Sequence, residues 1–246
     1  EDAEKYCVFR KVGDGEYKRI GTTTKTTYTN KNVTSGKTYT YTVCCIDKAG
    51  ENYTSSYNGT GLTIKYIQAP TITVTPQSYG VKVSWKKTDG ASGYYVYRKL
   101  KSDSSWTKLA TVKGEIFYQD KTAKNGKTYQ YSVIAYSGSS KSLRSNIKTQ
   151  VYLTRPTISA VTSPSAGSLK VTWNENTKAD GYQIRYTKDG IYSMKSVSGS
   201  DTTKLIVGSL TKKAEYDVAV RSYKTVNGVK YYSAWSKSGC TTIKSK

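Results

Sequence analysis

Histidine is absent from this chain of 246 residues. That removes Ser-His-Asp and Cys-His activation of a nucleophile, and with them the commonest metal ligand. Proline is scarce, with four residues, so the turns fall to Gly, Asn and Asp. No run of about 18 apolar residues exists, which excludes a membrane-spanning helix and leads us to expect no membrane insertion. Four cysteines, Cys7, Cys44, Cys45 and Cys240, stand outside any CxxC spacing and define neither a zinc site nor a disulfide-dense scaffold. Acidic residues are few: 17 against 39 Lys and Arg, a formal charge of +22.

What is abundant is Thr, Ser, Val and above all Tyr, with 24 residues. These side chains suit pleated, half-buried surfaces and point to sheets. The charge is uneven. Residues 1–66 hold ten basic and seven acidic side chains, residues 67–152 fourteen and four, and residues 153–246 fifteen and six. Such an excess attracts polyanions in general, although it equally serves as a solubilising surface. No Gly-rich phosphate loop, EF-hand loop or other nucleotide motif is present, so no cofactor, no metal and no specific nucleic acid are expected. The second third has only Asp89, Asp103, Glu115 and Asp120, which read as turn or surface residues and not as a catalytic carboxylate pair. The chain therefore reads as non-catalytic.

Self-similarity is the strongest signal. Lys37-Thr-Tyr39-Thr-Tyr41-Thr-Val43 matches Lys127-Thr-Tyr129-Gln-Tyr131-Ser-Val133, with Gly36 and Gly126 ahead of each; Glu215-Tyr216-Asp-Val218-Ala-Val220 is a diverged third copy. Trp85 and Trp173 each lie eight residues before a Gly-Tyr pair, Gly93-Tyr94 and Gly181-Tyr182. Alternation in Val81-x-Val83-x-Trp85, Tyr94-x-Val96 and Tyr129-x-Tyr131-x-Val133-x-Ala135 puts these residues on one inner face. The reading is an all-β chain of three sandwiches, 1–66, 67–152 and 153–246, with Pro70 and Pro156 stiffening the junctions.

A Trp on an early strand, a Tyr-x-Val strand and a late Tyr-led strand resemble the B, C and F strands of fibronectin type III domains. Tyr39, Tyr129 and Tyr216 take the place of the tyrosine that forms a corner in related sandwiches. Gly93-Tyr94-Tyr95-Val96-Tyr97-Arg98-Lys99 with Trp106-Thr107-Lys108-Leu109-Ala110 is similar to repeats of secreted or surface proteins of Gram-positive gut bacteria. The resemblance implies an extracellular or cell-surface spacer and ligand-binding region, with a host or cell-wall protein or an acidic glycan as partner. Alternatives are the accessory region of a secreted carbohydrate-active enzyme and an adhesin that captures a host protein. The first copy departs from the pattern: it starts at the equivalent of strand C, without counterparts of strands A and B, which would expose a core face; either those strands are lost from this sequence or something else covers that face.

Three candidate sites follow. Tyr95, Tyr97, Ser132, Ile134 and Tyr136 fall on outward positions of strands C and F, and Tyr95, Tyr97, Ile134 and Tyr136 form a candidate protein-binding face. The same five positions of the third copy hold Gln183, Arg185, Ala219, Arg221 and Tyr223, so this patch reads as particular to the second. Trp106 and Trp235, expected on the outer strands C′ and G, are candidates for carbohydrate stacking, against the ordinary alternative of partial burial. Cys7 and Cys44 replace Tyr95 and Ile134, point away from the core, and are either a cross-strand disulfide or adjacent thiols. Cys45 is expected inside, as a small buried residue.

Overall fold

Alternating apolar side chains form strands wherever one face can be buried, and here they form nothing else. The computed structural model describes residues 3–50 and 52–245; these contain strands, turns and irregular segments, and no helix long and apolar enough to cross a membrane. In the first unit β1 (Lys5–Val12), β2 (Lys18–Thr23), β3 (Thr38–Ile46) and β4 (Leu62–Lys65) make one antiparallel sheet in the order β2-β1-β3-β4.

The second unit has two sheets. β5 (Ile72–Pro76), β6 (Val81–Trp85) and β9 (Phe117–Asp120) form one; β7 (Gly93–Leu100), β8 (Thr107–Val112), β10 (Thr128–Ser137), β11 (Ser140–Lys141) and β12 (Lys148–Val151) form the other. The third unit repeats this. β13 (Ile158–Thr162), β14 (Leu169–Trp173) and β17 (Lys204–Val207) face β15 (Gly181–Lys188), β16 (Ile191–Ser198), β18 (Glu215–Val226), β19 (Val229–Tyr232) and β20 (Gly239–Thr242). All pairings are antiparallel. This strand order is that of fibronectin-type-III-like sandwiches in tandem.

Each complete sandwich has its own core. Val81, Val83, Trp85, Tyr94, Val96, Tyr131, Val133 and Ala135 meet between the sheets of the second; Leu169, Val171, Trp173, Tyr182, Ile184, Val218 and Val220 do so in the third. Among the described residues the first unit forms one sheet, and its apolar face is covered only in part: Val8 is buried, whereas Val43 and Ile64 are about half exposed.

The tyrosine corner occurs three times with one geometry. The N–H of the residue five positions earlier donates to the ring hydroxyl: Thr34 to Tyr39 (2.7 Å), Lys124 to Tyr129 (3.1 Å) and Thr211 to Tyr216 (3.3 Å). All three rings are buried. The bond ties the turn before strand F to the strand itself. Tyr129→Phe leaves the Lys124 N–H without its acceptor and should cost about 1–3 kcal/mol; the midpoint of chemical denaturation measures it, and an unchanged midpoint would show that the corner carries no stability.

The junctions are also repeated. Ser35 Oγ donates to the Asp89 carbonyl (2.7 Å), and Gly36 lies against Gly90 so closely that a Cβ on Gly90 would sit 2.2 Å from the Gly36 Cα. At the next junction Asn125 Nδ2 donates to Asn176 Oδ1 (2.9 Å), and Gly126 lies against the Lys178 side chain. In both places the turn before strand F of one unit touches the loop after strand B of the next.

Candidate functional site: the outer faces of the second and third sandwiches

On the outer face of β7 and β10 the register sets Ile134 opposite Tyr95 and Ser132 opposite Tyr97. Tyr95 stacks on Tyr136, with ring centroids 4.4 Å apart and planes 12° apart. Tyr136 reaches over Gly93, where a Cβ would meet its hydroxyl at 2.6 Å; the glycine is required by the ring lying on it. Tyr136 is consequently buried, which corrects the expectation of an outward, exposed side chain, while Tyr95, Tyr97 and Ile134 are half-buried. The sequence-derived face is brought together, but basic side chains lie over it. Lys108 and Lys141 sit 5.0 and 5.7 Å from the Tyr95 ring centre, and Arg144 sits 4.6 Å from both Tyr97 and Trp106. Lys99 is 5.6 Å from Trp106. Distances of this order are those of cation–π attraction.

Neither tryptophan lies on a strand: Trp106 directly precedes β8, and Trp235 falls between β19 and β20. Both are half-buried. Trp235 falls within a serine device that sequence reasoning missed and that recurs in the second unit. Ser142 Oγ accepts the Ala135 N–H and Ser145 Oγ accepts the Val133 N–H, both at 2.9 Å. Ser233 and Ser236 do the same for Ser222 (3.0 Å) and Val220 (2.9 Å). Each pair of hydroxyls satisfies the edge of strand F where no β-ladder reaches it. The Ser-x-x-Ser spacing was the available signal.

Between the serines, Arg144 and Trp235 occupy the same slot, and this links the two units. In the second, the arginine from the slot covers aromatics, Tyr97 and Trp106. In the third, the tryptophan from the slot is covered by arginines: Arg185 at 5.0 Å and Arg221 at 4.4 Å, with Arg221 also 3.8 Å from Tyr232. Arg185 is the equivalent of Tyr97. Cation and aromatic have exchanged places, so a cation–aromatic stack occurs on both faces although the tyrosine patch itself is not repeated. Lys230 over Tyr223 (4.5 Å) extends it.

These cations lack carboxylate partners. Arg221 gives its Nε and Nη2 hydrogens to the neutral Gln183 Oε1 (2.9 and 2.6 Å). Among the described residues the ion pairs are Arg98–Asp120, Lys188–Asp189 and Lys224–Asp180, all away from the stack. Burial lowers the Arg221 pKa from its ordinary value, and the Arg185 charge pushes the same way, Tyr232 opposing. The faces therefore present unneutralised positive charge on a frame of aromatic rings.

In the first unit, Cys7 and Cys44 are directly opposite in the β1–β3 register and their thiols are free. Their side chains point away from the Tyr6, Val8, Tyr41 and Val43 face, as alternation requires, yet both are buried. The segment before β4 covers this cysteine-bearing side of the sheet. Thr54 N–H donates to the Cys45 carbonyl (2.9 Å), and Tyr53 and Tyr57 pack on Phe9 beside the thiols, with ring centres 6.0 and 5.2 Å away. Burial pushes the Cys44 thiol above its ordinary pKa, and the adjoining Cys7 adds to this. Cys45, expected to be buried, is half-exposed because the sheet that would cover it is missing.

No group of three or more His, Cys, Asp or Glu able to hold a metal ion occurs among the described residues. No protein-family model matches the chain. An amylopullulanase of Thermoanaerobacterium thermosulfurigenes is 35% identical over 69 residues, which are 28% of this chain and 4% of that protein; the chain spans only a small fraction of its length. Among solved structures, the three fibronectin domains FN1–FN3 of chicken CNTN1 overlap 97% of this chain and 91% of their own at 18% identity and a TM-score of 0.36. A two-domain fibronectin type III segment of chicken tenascin overlaps 72% of this chain and all of its own at 18% identity, also with a TM-score of 0.36.

Proposed function

We propose that this chain is a non-catalytic spacer and ligand-binding region of a bacterial surface or secreted protein, made of three modules divided near residues 66 and 153. Its ligand is an acidic glycan or acidic wall polymer held on the outer faces of the second and third modules. The observation that carries this reading is the pair of arginine–aromatic stacks without carboxylate partners. Guanidinium groups pre-ordered on rings offer fixed donors to sulfate, carboxylate or phosphate groups at little entropic cost, and the surrounding excess of Lys adds long-range attraction.

A sulfated polysaccharide column tests it. The chain is expected to be retained at low salt and to elute well before about 1 M, because the screening length falls from about 10 Å at 0.1 M to about 3 Å there. Arg144→Ala and Arg221→Ala should each elute earlier than the parent chain. Absence of retention at low salt would end the proposal, and retention that survives molar salt would reject its electrostatic basis. A second reading, an accessory region of a secreted carbohydrate-active enzyme, is favoured by the similarity of 69 residues to an amylopullulanase. In that case soluble starch, a neutral polymer, would bind with little response to salt.

A further inference from the structure

Three corresponding strands lie at an edge of their sheets. Among the described residues β2, β8 and β16 each pair with one strand only, β1, β7 and β15 respectively. In the first two units that edge is blunted. Residues 13–17 and 101–106 lead into β2 and β8, and each ladder shifts register, at Val8/Phe9 and at Val96/Tyr97. A bulge of this kind twists an edge strand away from further pairing. β2 also opens with Lys18 and Arg19, while Leu109 and Val112 of β8 turn into the second core.

The third unit is built differently. Asp189-Gly190 alone joins β15 to β16, with φ of 50° and 78°. Two such residues make the tight turn whose twist matches the flanking strands. It seats β16 flush on β15, and the ladder runs from Lys188–Ile191 to Gly181–Ser198 without a shift. Alternate N–H and C=O groups of β16 therefore point away from β15 and meet no ladder. Ile191 and Tyr192 are 78 and 57% exposed, and Lys195 is the single charge on the strand. Side chains alternate along it. Tyr192 and Met194 share the outer face, with Met194 opposite Arg185. On the other face, Ile191 and Ser193 wall a cleft of 390 Å³ that Tyr186, Leu210 and Tyr216 help to close.

We infer that β16 is a docking edge for an extended acidic segment of a partner protein, which adds to the sheet as a further strand. In such an addition backbone hydrogen bonds supply the affinity, and pockets for alternate side chains supply the selectivity. Apolar side chains of the segment pack on Tyr192 and Met194. The cleft leaves room for those on the other face, where a carboxylate meets Lys195. Charge decides between occupants. The third unit holds fifteen basic and six acidic side chains, so two copies joined through β16 would bring like charge together, whereas an acidic strand is attracted. The inference goes beyond the proposed function: it uses a strand edge and a peptide, and depends on neither stacked face.

The test titrates a labelled peptide of about ten residues, alternating Val and Glu and long enough to span β16, into the full chain at low salt. Fluorescence anisotropy is expected to report binding, and the amides of residues 191–198 should exchange more slowly. The same peptide with N-methyl groups on all its backbone nitrogens keeps its charge but cannot pair. It should bind at least about tenfold more weakly, the effect of one or two lost hydrogen bonds. Tyr192→Glu with Met194→Glu, two exposed positions, should weaken the parent peptide to a similar degree, and an uncharged Val-Ser peptide should bind less well than Val-Glu. No binding of Val-Glu, or binding without protection of the β16 amides, would overturn the inference. Equal binding of the methylated peptide would reduce the effect to plain charge attraction, and equal binding of Val-Ser would remove the acidic partner; either rejects it. A parent chain that dimerises with concentration and protects the same amides unaided would assign the edge to a second copy and reject it too.

Discussion

Asp120→Ala should lower the stability of the second sandwich by about 3–5 kcal/mol, because it strips one partner from a buried ion pair. The Asp120 side chain is wholly buried, the Arg98 guanidinium lies 2.7 Å away, and the Tyr131 hydroxyl and Thr122 complete the cage. Burial alone would raise the carboxyl pKa; bonds from Tyr131, Thr122 and Arg98 outweigh it and hold the group below the usual carboxylate range. The sign of the pH dependence follows. With the folded pKa depressed, the contribution is complete above about pH 4, the unfolded value, and is lost as the pH falls through the folded one. Tyr131 acts at the other end: burial, then the Asp120 charge, push its pKa well above the ordinary phenol value. The unfolded tyrosine releases its proton above about pH 10 while the folded one keeps it, so stability falls as the pH climbs past that point. Denaturation midpoints across pH check both limbs. The third sandwich supplies the control, since Tyr186, Val207 and Val218 stand in the places of Arg98, Asp120 and Tyr131. Arg98→Tyr, Asp120→Val and Tyr131→Val made together should recover most of the loss, because an apolar set of matched shape needs no charge partner. A triple variant as unstable as Asp120→Ala would refute this.

Trp173→Ala should cost about 3–5 kcal/mol, the range for emptying a large aromatic site. The ring is buried against Tyr182, with centroids 5.3 Å apart, and closes the end of the third core. Trp173→Phe should cost much less. The Trp173 Nε1 is buried without a protein acceptor, as is that of Trp85, and phenylalanine removes that unpaired donor along with the second ring. Because the two cores are separate, the third sandwich alone should shift in calorimetry, with the transition of the second left in place. If Phe proved as damaging as Ala, the indole N–H would have to be a favourable contributor.

Much of this was legible because the repeats say the same thing three times. Tyr39, Tyr129 and Tyr216 announced the corner, and Trp85 and Trp173 announced the cores, since burial patterns are written in period-two alternation. Asp120 was not legible. It sits beside Lys121 in a stretch that reads as a turn, and only the fold brings Arg98 and Tyr131 to it. The stacked faces were hidden for a different reason: Tyr97 and Arg185 look unrelated until Arg144 and Trp235 are seen to trade roles across the sheet. Cys7 and Cys44 had the correct direction and the wrong environment, because alternation fixes which way a side chain points and a long irregular segment decides what covers it.

The separation of the two complete cores has a mechanical side. The chain passes from the second sandwich to the third through a junction held by a few polar contacts, including Asn125–Asn176 and Ser222 Oγ to the Thr154 carbonyl at 3.1 Å. A pull on the two ends of the array would load the sandwiches in series, and one could open while its neighbour kept its own interior dry. The stretch from Ile67 to Tyr152, which bounds the core of the second, has a fully extended length of roughly 290 Å at about 3.4 Å per residue. The array would thus lengthen in discrete steps and limit the peak force transmitted to whatever it joins.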